Sequence, residues 1–165
     1  APGGARNLHP NDGNRAGNRV RLLVSACLLG LCCRYDGCAK PNAAVLALRE
    51  GHTLIPVCPE QLGGLPTPRV PAERRGDRVV TRDGRDVTAA YEKGAAEALR
   101  LAELFSCDAA ILKERSPACG SGRIYDGSFS KTLISGDGVA AACLKAHGVL
   151  VLGESQLGRL EEGEA

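Results

Sequence analysis

The order of apolar segments in this chain predicts one α/β domain with a mainly parallel sheet flanked by helices, a three-layer arrangement of the Rossmann type. Two observations predict it. Short runs rich in Leu, Ile and Val alternate with longer segments of helical periodicity. The length of 165 residues, the hydrophobic fraction of 44% and the net charge of +2 are typical of one globular, water-soluble domain.

The two ends of the chain differ in composition from the part between them. Residues 1–19 are rich in Gly, Asn, Arg and Pro, and residues 157–165 are rich in Glu. Such compositions are typical of flexible tails, the second of them acidic. We therefore expect the folded domain to span residues 20–156. The amino end has no apolar segment of the signal-peptide kind.

The first half of the domain begins with a strand near 20–26, followed by a loop rich in Cys and Gly. A helix near 41–50 comes next and ends at Gly51. A second strand, 53–58, enters a loop from Pro59 to Pro71 whose Gly and Pro content predicts no regular structure. The residues predicted on the buried face of the helix are Ala44, Val45 and Leu48.

A short strand at Val79–Thr81 and an Asp-Gly turn lead into the longest helix of the chain. Asp86 or Thr88 is expected to be its N-cap, and the helix runs to about Phe105. The residues predicted to face the core are Ala95, Ala98, Leu99, Ala102 and Phe105.

The last part of the domain contains the third major strand, Ala109–Lys113, and a second long loop. Asp137 is expected to be the N-cap of a final helix that ends at Gly148. Val149–Leu152 is predicted as a buried strand. Strands separated by helices in this order are expected to lie parallel.

Three cysteines follow predicted strands. Cys27 follows the first strand, Cys58 the second, and Cys119 lies a few residues beyond the third major strand. Because the carboxyl ends of parallel strands share the edge where ligands bind, we expect the three thiols to meet there. Three thiolates without a fourth ligand describe an open metal or iron–sulfur site.

The chain has eight cysteines and no secretory signal, which favours a cytosolic protein with reduced thiols and a cofactor. Cys33 shares the loop of the first candidate ligand and is an alternate ligand. A site of four cysteines would be structural zinc or a closed electron-transfer cluster. Cys107 and Cys143 lie at helical positions beside Ala and Leu, so we expect them to pack in the core. Cys32 and Cys38 have no assignment.

Two polar residues adjoin the candidate thiols. Glu60 follows Cys58 by two residues, and a carboxylate beside a metal can act as general acid or base. The alternative is a loop carboxylate that accepts a backbone amide. Ser116 could orient a substrate or relay a proton, and the alternative is an ordinary turn serine. The basic residues that could bind an anionic or carbonyl-bearing ligand are Lys113, Arg115, Arg69 and Arg34.

Several function classes are not supported by the sequence. No dinucleotide-binding glycine fingerprint follows the first strand, and no Walker A motif is present. The histidines, His9, His52 and His147, lie away from the expected ligand edge, so a Cys–His nucleophile is not predicted. Near-neutral charge and an aromatic content of 3% give no strong nucleic-acid signal. No segment has the apolar length of a membrane span.

Seven loop motifs together resemble the thiouracil desulfurase family over about residues 20–155. Ala118 departs from the family pattern, which has a serine at that place, and so do Cys32 and Cys38. Tyr-Asp-Gly occurs in two of the motifs, which also fits two ordinary Asp-Gly turns. The motifs are Val24–Gly30, Cys33–Gly37, Pro56–Glu60, Gly63–Arg69, Asp83–Thr88, Lys113–Gly120 and Ile124–Gly127.

The resemblance implies a [4Fe-4S] cluster held by Cys27, Cys58 and Cys119, with the fourth iron free to bind the sulfur of a thiolated uracil. It implies non-redox desulfuration of thiouracil to uracil and sulfide, in which the carbon gains oxygen from water. Glu60 and Ser116 would be the acid–base and positioning groups. The implied substrate is a small thiolated uracil base or nucleoside.

The competing hypothesis is a zinc-binding structural or interaction module. It would use the same three cysteines together with Cys33, which also belongs to the family pattern. Four thiolates would complete the tetrahedral shell that structural zinc requires.

Overall fold

The computed structural model describes residues 19–161, apart from the side chain of Glu161, so nearly all of the predicted amino-terminal tail lies outside it. The strands are β1 (Arg21–Ser25), β2 (Thr53–Val57), β3 (Ala72–Arg75), β4 (Arg78–Thr81), β5 (Ala109–Leu112), β6 (Arg123–Tyr125), β7 (Leu133–Ser135) and β8 (Leu150–Gly153). The helices are α1 (Ala43–Ala47), α2 (Pro59–Leu62), α3 (Thr88–Leu104), α4 (Val139–Ala146) and α5 (Gly158–Glu161). Short 3-10 turns span Ala26–Leu29, Leu48–Glu50 and Glu154–Gln156.

The central sheet has four strands in the order β2-β1-β5-β8, and every neighbouring pair is parallel. Register places Val24 beside Pro56 on one side and beside Ile111 on the other. The predicted parallel sheet is therefore confirmed. Its carboxyl edge brings together the loops that follow β1, β2 and β5, because these three strands are adjacent.

Helical layers cover both faces of the sheet. On one face, Leu23, Ala110 and Val151 pack against the buried sides of α3 and α4. On the other face, strand residues pack against α1 and the 3-10 turn after β1, and Leu157 and Leu160 also contact this cluster. The three-layer α/β class is confirmed. No helix in residues 19–161 combines the length and the hydropathy that crossing a bilayer requires.

Two antiparallel hairpins lie outside the sheet, and the sequence predicted only one of their strands. β3 pairs with β4, and β6 pairs with β7. β3 has the sequence Ala-Glu-Arg-Arg and shows no apolar alternation, while β6 and β7 have three residues each. Strands of this kind give almost no periodic signal.

The prediction of no regular structure across 59–71 is wrong at its start, where α2 begins with Pro59 in its first turn. Proline suits that place because its fixed φ fits the helix and its missing N–H is not needed there. α2 crosses α3 at Gly63 and Gly94. A methyl group at Gly94 would overlap the Pro59 carbonyl oxygen, and one at Gly63 would overlap the Ala90 carbonyl oxygen.

Three further predictions from helical pattern are wrong. Ala44 is exposed, and Phe105 is 40% exposed because it follows the last residue of α3. The N-cap of α4 is Gly138, while the Asp137 carboxylate instead accepts the Gly122 amide and pairs with Lys145.

The start of α3 also differs from its prediction. Its N-cap is Val87, without a side-chain hydrogen bond, and the Asp86 carboxylate accepts the Thr88 amide. The Thr88 hydroxyl accepts the Val79 amide and so joins the helix to β4. Gly148 does end α4, with a φ of 85°.

Candidate active site

A cavity of about 370 Å³ opens at the carboxyl edge of the central sheet. Its walls include the thiols of Cys27, Cys33, Cys58 and Cys119 and the carboxylate of Glu60. The structure therefore brings together the side chains that the sequence placed after three different strands. The edge of a parallel sheet, where several loops converge, is the usual place for a ligand.

Each of the three predicted cysteine ligands has a different local setting. Cys27 lies in the 3-10 turn after β1 and is 8% exposed, and Cys119 lies in the loop after β5 and is 6% exposed. Cys58 is the N-cap residue of α2 and is half-buried. Its Sγ lies 3.7 Å from the carbonyl oxygen of Cys33, so the first and second loops meet at this thiol.

The electrostatics of the cavity follow from burial and from the crowding of thiols. Burial raises the pKa of Cys27, and the charges of Lys113 and Arg34 oppose that rise. Burial, together with the charges of Cys58 and Cys27, raises the pKa of Cys33 to about 12. Burial also raises the pKa of Cys119, against a hydrogen bond from Ser25 that lowers it.

The donor set fits an iron–sulfur cluster. The thiols are soft ligands, they line one cavity, and a metal would favour their deprotonated form. Within residues 19–161, no three His, Cys, Asp or Glu side chains stand close enough to share a single metal ion. Zinc would require such a set, with each sulfur at about 2.3 Å. A cluster spreads its cysteines over several irons, so the zinc alternative is not supported.

Glu60 is held by Arg69. The Nε of Arg69 donates to Glu60 Oε1 at 2.8 Å, and its Nη2 lies 2.5 Å from the same oxygen. Nη2 also donates to the Cys33 carbonyl oxygen at 2.9 Å, while Nη1 donates to Pro66 and Thr67. The guanidinium thus donates four hydrogen bonds and makes one further ion-pair contact, so all three of its nitrogens are engaged. Arg69, a ligand-binding candidate from the sequence, lines the cavity and also joins Glu60 to the first cysteine loop.

Ser116 organises the loop that carries Cys119. Its Oγ accepts the amides of Ala118 and Cys119, both at 3.0 Å. These bonds use the acceptor capacity of the hydroxyl and leave its proton available for a group in the cavity. The backbone contacts of Ser116 are therefore those of an ordinary turn serine. Ser116 also lines the cavity, where its hydroxyl can contact a substrate.

The other basic candidates lie around the same cavity. Lys113 Nζ is 3.2 Å from Glu154 Oε2, and Arg115 adopts a φ of 71° in the loop after β5. Arg34 lies 3.6 Å from the Asp36 carboxylate and over the ring of Tyr35. All three basic residues line the cavity.

The repeated Tyr-Asp-Gly motifs form two equivalent turns at the cavity wall. The Asp36 and Asp126 carboxylates each accept the amide two residues further on, and both glycines have positive φ. The Asp-Gly turn interpretation is confirmed. Both tyrosines, Tyr35 and Tyr125, line the cavity.

Two residues of the site were missed from the sequence. Ser25 donates to Cys119 Sγ at 3.3 Å across 94 positions of sequence. Tyr91 on α3 lines the cavity, where burial and the nearby Glu60 charge raise its pKa. Their only sequence signals were a hydroxyl at the end of a strand and an aromatic ring in the first turn of a helix.

The cysteines and histidines outside the site have structural explanations. Cys107 and Cys143 pack against the core as predicted, whereas Cys32 and Cys38 are exposed. His52 Nδ1 accepts the Val20 amide at 2.9 Å. His9, which was also predicted to lie away from the site, is outside the part of the chain that the structure describes.

Comparison with known proteins agrees with the motifs. The model of the 2-thiouracil desulfurase family matches residues 22–156. YbbK of Bacillus subtilis (strain 168) is 44% identical over 146 residues, covering 82% of this chain and 97% of YbbK. The solved structure of TudS, a [4Fe-4S]-dependent thiouracil desulfidase, superposes with a TM-score of 0.80 at 45% identity, covering 87% of this chain and 97% of TudS. The chain therefore belongs to the 2-thiouracil desulfurase family.

Proposed function

We propose that this protein is a [4Fe-4S]-dependent thiouracil desulfidase, which converts a thiolated uracil and water into uracil and hydrogen sulfide. One observation carries the proposal. Thiols from the loops after three adjacent parallel strands line one cavity together with the half-buried carboxylate of Glu60. Membership in the 2-thiouracil desulfurase family and the similarity to TudS support the same chemistry.

Cys27, Cys58 and Cys119 would hold the cluster, because each lies in the segment that follows a different strand of the sheet and lines the shared cavity. When bound, the cluster supplies a Lewis-acidic iron for the soft sulfur of the substrate. Cys33 is the alternate ligand. Its thiolate would face the charges of Cys58 and Cys27 with only Arg69 opposing them, whereas Cys27 has two nearby cations, Lys113 and Arg34, against Cys58 and Glu154.

Glu60 is the proposed acid–base group. Its side chain is 13% exposed and Arg69 fixes one of its oxygens, so the carboxylate has a defined direction in the cavity wall. The reaction forms a carbon–oxygen bond from water and breaks the carbon–sulfur bond. Both protons of the water are passed to the departing sulfide, and Glu60 is placed to move them. No electrons are transferred overall.

Ser116 is the proposed positioning group. Because its Oγ already accepts two amides, its proton can be donated to a polar atom of the substrate ring. The same two hydrogen bonds hold the loop that carries Cys119. The Ser116 side chain would therefore position both the substrate and this cluster ligand.

The substrate class is a thiolated uracil base or nucleoside, a small molecule compatible with a cavity of about 370 Å³. A cytoplasmic location is part of the proposal. All eight cysteines are free, as expected for a protein in a reducing compartment.

The test is anaerobic reconstitution followed by measurement of sulfide release from 2-thiouracil and 4-thiouracil. We expect Glu60→Gln to keep its iron while turnover falls by at least about a hundredfold. Glu97→Gln, at an exposed position of α3, is the matched control and should keep full turnover. Sulfide release from neither substrate by a protein with an intact cluster would refute the substrate assignment. Loss of iron in Glu60→Gln would make Glu60 structural.

A further inference from the structure

We infer that Ser25 is a positioning residue whose hydroxyl donates a hydrogen bond to the sulfur of Cys119 and thereby tunes the cluster that this cysteine holds. The inference rests on the proposed function. Ser25 Oγ lies 3.3 Å from Cys119 Sγ, and the serine is 2% exposed. No role for this residue followed from the motifs.

The direction of the hydrogen bond is fixed by the surrounding backbone. The amide of Lys113 donates to Ser25 Oγ at 2.9 Å, which occupies the hydroxyl oxygen as an acceptor. A serine hydroxyl has a single proton, and Cys119 Sγ is the partner within its reach. Ser25 therefore acts as a donor toward the sulfur.

The place of Ser25 in the fold makes this contact rigid. Ser25 is the last residue of β1, which pairs with β2 on one side and β5 on the other. The Lys113 amide, one residue beyond β5, ties the same hydroxyl to the next strand. The hydroxyl is thus held at the carboxyl end of an inner strand of the sheet, against the loop that carries Cys119.

A hydrogen bond to a ligand sulfur draws electron density away from it. The sulfur then donates less to iron, which raises the reduction potential of a cluster and leaves its irons more electron-poor. An electron-poor iron binds and polarises a thiocarbonyl sulfur better. The expected effect of losing the bond is a lower potential and a decrease of about 10- to 100-fold in kcat.

The experiment compares Ser25→Ala and Ser25→Thr with the wild-type protein after anaerobic reconstitution. The reduction potential is measured by spectroelectrochemical titration, beside iron content and sulfide release. We expect Ser25→Ala to keep its iron but to show a more negative potential and a lower kcat. Ser25→Thr, which keeps the hydroxyl, should restore both. Thr88→Ala is the control, since it also removes a buried hydroxyl that accepts a strand amide.

The outcomes separate this inference from the proposed function. A wild-type protein that binds no iron refutes the proposed function. If the wild-type protein and Ser25→Ala both bind iron and have the same reduction potential, the role of Ser25 is overturned and the proposed function stays intact. If Ser25→Ala loses iron, Ser25→Thr decides: a wild-type potential supports the hydroxyl donor, and loss of iron there too overturns it.

Discussion

Removing one partner of the ion pair between Arg69 and Glu60 is expected to destabilise this fold strongly. The two side chains are only 7% and 13% exposed, so water does little to screen them. Replacing Arg69 by Met removes all five donors of the guanidinium and leaves the carboxylate buried without its partner. Breaking a buried pair in this way costs about 3–5 kcal/mol.

The assay is urea unfolding of the iron-free, reduced chain, followed by circular dichroism. Iron-free protein is required because cofactor loss would otherwise be coupled to unfolding. We expect Arg69→Met to lower the free energy of unfolding by about 3–5 kcal/mol. The loss of unfolding free energy in the double variant Arg69→Met/Glu60→Gln should be at least about 1.5 kcal/mol smaller than the sum of the two single losses, because no unpaired charge remains at this position.

A control comes from the exposed pair between Arg78 and Asp86, whose side chains are 59% and 45% exposed. Arg78→Met should change stability little, because solvent screens such pairs. If Arg69→Met lowers the free energy of unfolding by less than about 1 kcal/mol, and its loss is additive with that of Glu60→Gln, the pair behaves like an exposed one and its burial has no energetic effect.

Two further predictions concern the helix crossing and the thiols. Gly94→Ala should displace α2 and lower sulfide release at least about tenfold, because the new methyl group meets backbone, which cannot yield as a side chain does. Gly51→Ala, which points into open space, should leave activity unchanged, and equal activity in both variants would contradict the crossing. In the iron-free chain at pH 8.5, Cys33 should react slowly with iodoacetamide because its pKa is raised to about 12, which keeps the thiolate fraction small. The exposed Cys32 should react first, and equal labelling by mass spectrometry would contradict the burial of Cys33.

The convergence of the three thiols was predictable from the sequence. Cys27, Cys58 and Cys119 follow segments whose apolar pattern identifies strands, and parallel strands end at one edge. The order of the strands along that edge then makes them neighbours. Their roles as ligands stay a prediction, as do the roles of Glu60 and Ser116.

The hydrogen bonds of the site were not predictable from the sequence. The guanidinium of Arg69 reaches acceptors on α2, the Pro-rich loop and the first cysteine loop, which the chain brings together only when folded. The sequence therefore predicted Arg69 only as a basic residue that could bind a ligand, and not its contact with Glu60. The hydrogen bond of Ser25 could not be predicted either, because its partner lies 94 residues away in the sequence.

The errors at helix ends have local causes. Phe105 fits the helical spacing, but α3 ends at Leu104 and the ring falls outside the buried stripe. Asp137 has the chemistry of an N-cap, yet the helix begins one residue later and the carboxylate accepts an amide from the Gly122 loop. A side chain with two competing partners of this kind cannot be assigned from propensity alone.

We propose that Cys27, Cys58 and Cys119 hold the cluster and that Cys33 lies beside it without being a ligand. The most direct measurement is the iron and sulfide content of the four single alanine variants after anaerobic reconstitution. We expect about four irons and four sulfides per chain in the wild-type protein and in Cys33→Ala. The other three variants should lose the intact cluster. Full iron in any of those three variants, or loss of iron in Cys33→Ala, would contradict this assignment of the ligands.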